Sequence, residues 1–84
     1  MGLNQERMRE MYKYKIELVT TSDIAEFVNI ASTENGSVRL IDDSGFCVNG
    51  KSLLGAMATI EWSSLYCESE DDIYTKIKKF CTES

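Results

Sequence analysis

A serine that follows a lysine at the start of a predicted helix is the part of this sequence best suited to hold an anion. Lys51 and Ser52 follow Asn49-Gly50, which breaks a strand, and they precede apolar residues at helical spacing. A phosphate on Ser52 would meet free backbone amides and the positive end of the helix dipole, with the Lys51 ammonium alongside. In the simpler interpretation, Ser52 caps the helix and Lys51 is a solvated charge.

A second group of small polar residues, from Thr20 to Asp23, precedes another predicted helix. Their oxygens suit the N-cap, and the carboxylate of Glu26 is favoured in the first turn by the helix dipole. The sequence contains no histidine, so the usual general base and the commonest metal ligand are both absent. The group from Thr20 to Ser22 is therefore interpreted as helix-capping.

The remaining candidate groups do not converge on a reaction or a metal. Cys47, Cys67 and Cys81 are odd in number and widely spaced, and two of them lie in apolar segments, so neither a disulfide nor a metal is expected. The acidic cluster from Glu68 to Asp72 lacks the ligand spacing of a calcium loop. No nucleophile, base and acid come together, and the sequence predicts neither an enzyme nor a cofactor.

Length and charge limit the classes of protein to consider. The chain has 84 residues, 43% of them hydrophobic, which suits one domain, expected over residues 12–84 behind a poorly ordered tail over 1–11. A net charge of −5 disfavours nucleic acid and anionic membranes as partners. With no apolar run of about 20 residues and no secretory signal, we expect a cytoplasmic monomer without membrane insertion.

The hydrophobic periodicity predicts strands that alternate with helices. Apolar residues repeat every second position in the strands and at helical spacing in the helices, each of which has one apolar stripe. This β-α-β-β-α-β-α order predicts an α+β fold of two layers, with the helices on one face of a single sheet. The predicted elements are a strand over 12–18, a helix over 22–34, a hairpin over 37–48, a helix over 51–60, a strand over 62–68 and a helix capped by residues 69–72.

The stretch VNGKSLLGAM, residues 48–57, resembles HPr, the histidine-containing phosphocarrier family of the bacterial sugar phosphotransferase system. The resemblance covers about residues 12–82 and rests also on the element order. It further includes the apolar pattern of the first helix, with Ser32 behind it: Ile24, Phe27, Val28 and Ala31. It implies an open-faced β-sandwich, with a four-stranded antiparallel sheet and three helices on one face.

The departure from this family lies at the start of the first helix. HPr proteins carry there a phospho-accepting histidine followed by alanine, arginine, proline and alanine. This chain has Thr20 at or near the histidine position and Ser22 at or near the arginine. Threonine would form a stable ester instead of a labile bond from nitrogen to phosphorus. With Asp23 and Glu26 adding negative charge, we expect no phosphotransfer and weakened docking to Enzyme I.

Two further positions take a possible role from the resemblance. Lys51 and Ser52 match a second site of the family, a serine that a dedicated kinase phosphorylates in some bacteria. Leu53 and Met57 match an exposed apolar patch that docks partner proteins, although an amphipathic helix could equally bury both. The resemblance favours partial exposure of this pair and hence a protein partner.

Three functions follow as hypotheses. The first is a divergent HPr-like domain that lacks phosphohistidine transfer and acts as a protein-binding or regulatory module. The second is a regulatory HPr-like protein switched by phosphorylation at Ser52. The third is an unrelated small α+β protein that binds a ligand.

Overall fold

Four strands form one antiparallel sheet, and three helices cover one of its faces. The computed structural model describes residues 11–82. The predicted α+β class, the β-α-β-β-α-β-α order and the one-sided helical layer are confirmed. The elements are β1 (Tyr12–Lys15), α1 (Thr21–Ser32), β2 (Val38–Ile41), β3 (Cys47–Asn49), α2 (Leu53–Met57), β4 (Tyr66–Ser69) and α3 (Tyr74–Ile77). Short 3-10 turns, Ala58–Glu61 and Lys78–Phe80, extend α2 and α3.

The strands lie in the order β1-β4-β2-β3, so β4 is central although it comes last in the sequence. The β2–β3 hairpin closes as predicted around residues 43–45, because the Asp42 carboxylate accepts the amides of Ser44 at 2.9 Å and Phe46 at 3.0 Å. Gly45 has φ 100°, which a side chain rarely allows. Along the strands, alternate residues point toward the helices. The residues between them form the face of the sheet that the helices leave open.

The core lies between the sheet and the helices. The stripe predicted for α1 is fully confirmed, since Ile24, Phe27, Val28 and Ala31 are all buried. The α3 segment contributes Ile73, Ile77 and Phe80, and the Phe80 ring meets Phe27 edge-on at 6.0 Å between centroids. The sheet contributes the core-facing residues Ile16, Val38, Leu40 and Cys67.

The helix and strand bounds differ from the predicted ones where local signals compete with distant contacts. The α2 helix is only five residues long and ends in a 3-10 turn, and Trp62 caps that turn instead of starting β4. Of residues 69–72, which were predicted to cap the last helix, Ser69 does not do so, because its hydroxyl donates to the Asp71 carbonyl at 2.5 Å. Asp72 instead accepts the Tyr74 amide and the Tyr14 hydroxyl.

Two further expectations concern the N-terminal tail and membrane insertion. The poorly ordered tail predicted over 1–11 lies, except for Met11, outside the described residues. Across residues 11–82, every helix is too short or too polar to cross a bilayer.

Candidate functional site

The start of α1 is closed by a reciprocal pair of hydrogen bonds. The Thr20 hydroxyl accepts the Asp23 backbone N–H at 3.0 Å. The Asp23 carboxylate accepts the amides of Val19 at 3.0 Å and Thr20 at 3.3 Å. This is a capping box with Thr20 as the N-cap residue.

The capping box decides what this position can do chemically. Three amides at this helix start are already bonded, those of Val19 and Thr20 to the carboxylate of Asp23 and that of Asp23 to the Thr20 hydroxyl. A second anion at the same place would be repelled by that carboxylate. The structure places Thr20 as a capping residue, and it places Ser22 exposed in the first turn.

Ser52 and Lys51 are both engaged within the fold. The Ser52 hydroxyl accepts the Gly55 amide at 3.1 Å and caps α2. The Lys51 ammonium donates to the Glu34 carbonyl at 2.7 Å, just beyond the end of α1. Lys51 is therefore not merely a solvated charge, since its ammonium donates to a carbonyl just past the C-terminal end of α1, where the helix dipole favours a cation.

An apolar stripe runs along the outer side of α2 and its 3-10 turn. Leu53 is 48% exposed and Met57 41%, while Leu54 next to them is 82% exposed. Ile60 continues the stripe on the following turn and is also exposed. Only Ala56 of the α2 helix is buried. The stripe therefore lacks the shelter that its apolar pattern predicts for a core helix.

The stripe leads into a cleft between the end of β1 and the segment that follows α2. The cleft has a volume of about 580 Å³, and its apolar walls include Val19, Ile60 and Trp62. Trp62 also stacks on the exposed ring of Phe46, with 6.2 Å between centroids and 26° between planes. The helix-side apolar surface is defined by Val19, Phe46, Leu53, Leu54, Met57, Ile60 and Trp62.

Sequence reasoning identified only Leu53 and Met57 of this surface. Ile60 was predicted only as part of the helix over 51–60, and Trp62 was predicted at the start of a strand. Val19 sits just beyond the alternating pattern of β1, where no local rule predicts its direction. The sequence does contain one signal of this surface, which is the number of large apolar residues in the short segment 53–62. The α2 helix buries only Ala56, so the large ones stay exposed.

Charges around this surface are mostly acidic. Between residues 42 and 64 the chain carries Asp42, Asp43 and Glu61 against the single base Lys51. The Lys51 ammonium is occupied at Glu34. Asp43 lies close to the cleft, since its amide donates to the hydroxyl of Ser64, which lines the cleft. A contacting molecule would therefore meet apolar side chains with a negatively charged border.

The titratable groups of the core do not add a reactive site. Burial, with smaller effects of Cys81 and Glu68, raises the pKa of the Cys67 thiol to about 12, so it is neither a thiolate nor a nucleophile near neutral pH. Burial and the hydrogen bond to Asp72 raise the pKa of Tyr14 to about 12. Among the described residues, no three His, Cys, Asp or Glu side chains gather as a metal would require.

The described part of this arrangement can bind another molecule through apolar contact. In comparisons with known proteins, no family model, no curated protein and no solved structure matches the chain.

Proposed function

We propose that this chain is a divergent HPr-like domain without phosphohistidine transfer, which acts as a protein-binding module. The proposal includes a cytoplasmic, monomeric protein that contacts its partner through the helix-side apolar surface. The observation that carries it is the exposure of Leu53, Leu54 and Met57 on a helix whose only buried residue is Ala56.

The fold supports the family part of the proposal. The resemblance implies four antiparallel strands and three helices on one face, and these are the elements present. The segment 48–57 lies where the resemblance needs it, because it leaves β3, turns at Gly50 and enters α2. A fold alone does not imply an activity, so the binding function must rest on the surface itself.

The start of α1 supports the loss of phosphotransfer. A phosphocarrier needs a nucleophilic nitrogen and free donors for the phosphoryl oxygens. Here the N-cap side chain is a threonine hydroxyl, and the amides of Val19 and Thr20 already bond the Asp23 carboxylate.

The surface also indicates the chemistry of the partner. Exposed aliphatic side chains next to an aromatic pair, Phe46 and Trp62, are typical of the centre of a protein interface. The acidic border of Asp42, Asp43 and Glu61 favours a partner whose apolar contact is surrounded by lysine or arginine.

The partner can be found and the contact tested in one series. A photo-reactive residue replacing Leu54, the most exposed apolar residue, marks the partner in a lysate, and the partner is then purified. We expect Leu53→Ser and Met57→Ser each to weaken binding of the purified partner about tenfold, as calorimetry would measure. We also expect the cross-linked surface of the partner to be apolar with a basic border.

The matched control is Tyr12→Ser, because Tyr12 on β1 is as exposed as Leu53 but lies outside the helix-side apolar surface. It should leave the affinity unchanged. Unchanged binding by the Leu53 and Met57 variants, or an equal loss in the Tyr12 variant, would rule out this surface as the contact.

The absence of phosphotransfer has a separate test. The full chain is incubated with Enzyme I and phosphoenolpyruvate beside a true HPr, and acid-labile phosphate is measured. We expect label on HPr only. Any acid-labile phosphate on this chain would sink the non-carrier assignment while leaving the binding surface to be judged on its own variants.

A further inference from the structure

The face of the sheet that the helices leave open has its own chemical character. Across the strands, one row of this face contains Lys13, Glu68, Arg39 and Asn49. The next row holds Lys15, Tyr66, Ile41 and Cys47. These two rows hold three of the nine basic residues of the chain and one of its fourteen acidic residues, and exposed Glu17 follows Lys15 on the same side of the chain. The open face is therefore cationic, whereas the whole chain has a net charge of −5.

The carboxylate in these two rows, that of Glu68, already forms an ion pair with Arg39. Glu68 lies between Lys13 and Arg39 in its row, and its Oε1 atom is 2.6 Å from Nη2 of Arg39. Across residues 11–82, no carboxylate lies within ion-pair distance of Lys13 or Lys15. The ammonium groups of Lys13 and Lys15 thus have no ion-pair partner among residues 11–82.

The two lysines lean over one aromatic ring instead. The Lys13 ammonium is 4.9 Å and the Lys15 ammonium 5.9 Å from the centroid of the Tyr66 ring. Cation–π contacts of this kind hold the ammonium groups but leave their like charges close together. An anion placed above the ring would pair with both.

We propose that the open face of the sheet binds an acidic segment of a protein, extended, with its alternate carboxylates on Lys13 and Lys15. With the peptide lying edge-on above Tyr66, its carboxylates would point toward the lysines of β1 and the side chain between them toward Ile41 of β2. The spacing fits, because the two lysines are two residues apart on one strand, and alternate side chains of an extended peptide repeat over the same distance.

A nucleic acid strand fits these observations less well. Tight binding of a phosphate backbone uses about six to ten cationic contacts, and this face offers two unpaired lysines. The net charge of −5 opposes a densely charged polymer more than a short segment with two or three carboxylates. The aliphatic side chain of Ile41 also favours an apolar side chain over a base.

The test uses the full chain and a short capped peptide of alternating glutamate and leucine. We expect amide chemical-shift changes at Lys13, Lys15 and Tyr66, with none along α2. Lys13→Glu or Lys15→Glu should each weaken the affinity about fivefold. Added salt should weaken it further.

Three controls make the result decisive. Lys78→Glu makes the same charge change on an exposed lysine of the helical layer and should leave the affinity within about twofold. The same peptide with glutamine in place of glutamate should not bind. A short oligothymidylate should bind more weakly than the acidic peptide.

Equal losses in the Lys13 and Lys78 variants would reduce the effect to net charge and overturn the proposal. Shift changes confined to α2, tighter binding of the oligothymidylate, or self-association through this face in place of peptide binding would do the same. None of these outcomes bears on the helix-side apolar surface, whose own test uses the Leu53 and Met57 variants.

Discussion

Thr20 and Ser52 hold equivalent positions at two helix starts, and each uses its hydroxyl oxygen to accept an amide three residues ahead. A hydroxyl in this role contributes stability, and it must be released from the helix before it can serve as a nucleophile. The two positions differ in their neighbours, since Thr20 shares its cap with the Asp23 carboxylate whereas Ser52 caps alone.

The cap at Ser52 gives a prediction at the scale of one residue. Ser52→Ala should lower the free energy of unfolding by about 1 kcal/mol, because the Gly55 amide loses its acceptor. Ser52→Asp should be close to neutral, since aspartate caps as well as serine does. Urea denaturation measures both effects. The control is Ser63→Ala at an exposed loop position, and an equal loss there would show that the cap is not the cause.

At the scale of the elements, two glycines differ in their surroundings, Gly50 before α2 and Gly55 within it. A Cβ built on Gly50 would lie 2.9 Å from Cγ1 and 3.0 Å from the carbonyl oxygen of Val38, so this turn passes too close to β2 for a side chain. A Cβ on Gly55 would lie 3.4 Å from Cβ of Val48, an ordinary contact. The first glycine is required by packing, and the second is not.

The pair of glycines predicts effects of opposite sign. Gly55→Ala should raise the free energy of unfolding by about 0.5–1 kcal/mol, because alanine favours the helix and finds room beside Val48. Gly50→Ala should lower it, since neither the Val38 side chain nor its carbonyl can move away cheaply. Thermal or urea unfolding of the two variants decides the matter. Stabilisation by the Gly50 variant would contradict the close approach.

The elements also show which features a sequence can predict here. The buried stripe of α1 follows from spacing alone, and so does the β2–β3 hairpin with its turn at Gly45. The start of α3 does not, because Tyr14 is 58 residues away from Asp72 and its hydroxyl donates to that carboxylate. Local rules consider only neighbours along the chain, so they predicted a cap within residues 69–72 but not the contact of Asp72 with Tyr14.

The candidate site likewise contains residues that the sequence predicted and residues that only the fold brings together. The exposure of Leu53 and Met57 was expected from the resemblance, and both side chains are exposed. The contributions of Val19 and Trp62 arise because the fold brings the end of β1 beside the segment after α2. Their convergence depends on strand order, which no periodicity in this chain encodes.

At the scale of the whole molecule, the sheet separates two surfaces of different chemistry. Exposed apolar side chains with an acidic border lie on the helical side, and lysines around an aromatic ring lie on the open face. Lys15 of the open face also lines the cleft, whereas the other residues named for each surface are not shared. A domain of this size can therefore hold two different molecules at once.

This separation predicts that binding at the two surfaces is independent. Lys13→Glu should leave the affinity for the helix-side partner within about twofold, and Leu53→Ser should do the same for the acidic peptide. Calorimetric titration of each ligand, with and without saturating amounts of the other, measures the coupling. A change of tenfold or more, on the order of 1.4 kcal/mol, would mean that the two ligands share a site or shift a common equilibrium.

The stack of Trp62 on Phe46 also has an optical consequence. Trp62 is the only tryptophan of the chain, and its indole ring lines the cleft on the helical side. Its fluorescence emission therefore reports mainly on the helical side. A partner seated over the cleft should shift the emission maximum by excluding water from the indole, whereas a peptide on the open face, which reaches this cleft only at Lys15, should shift it less. The emission of the unlabelled protein thus distinguishes its two proposed ligands.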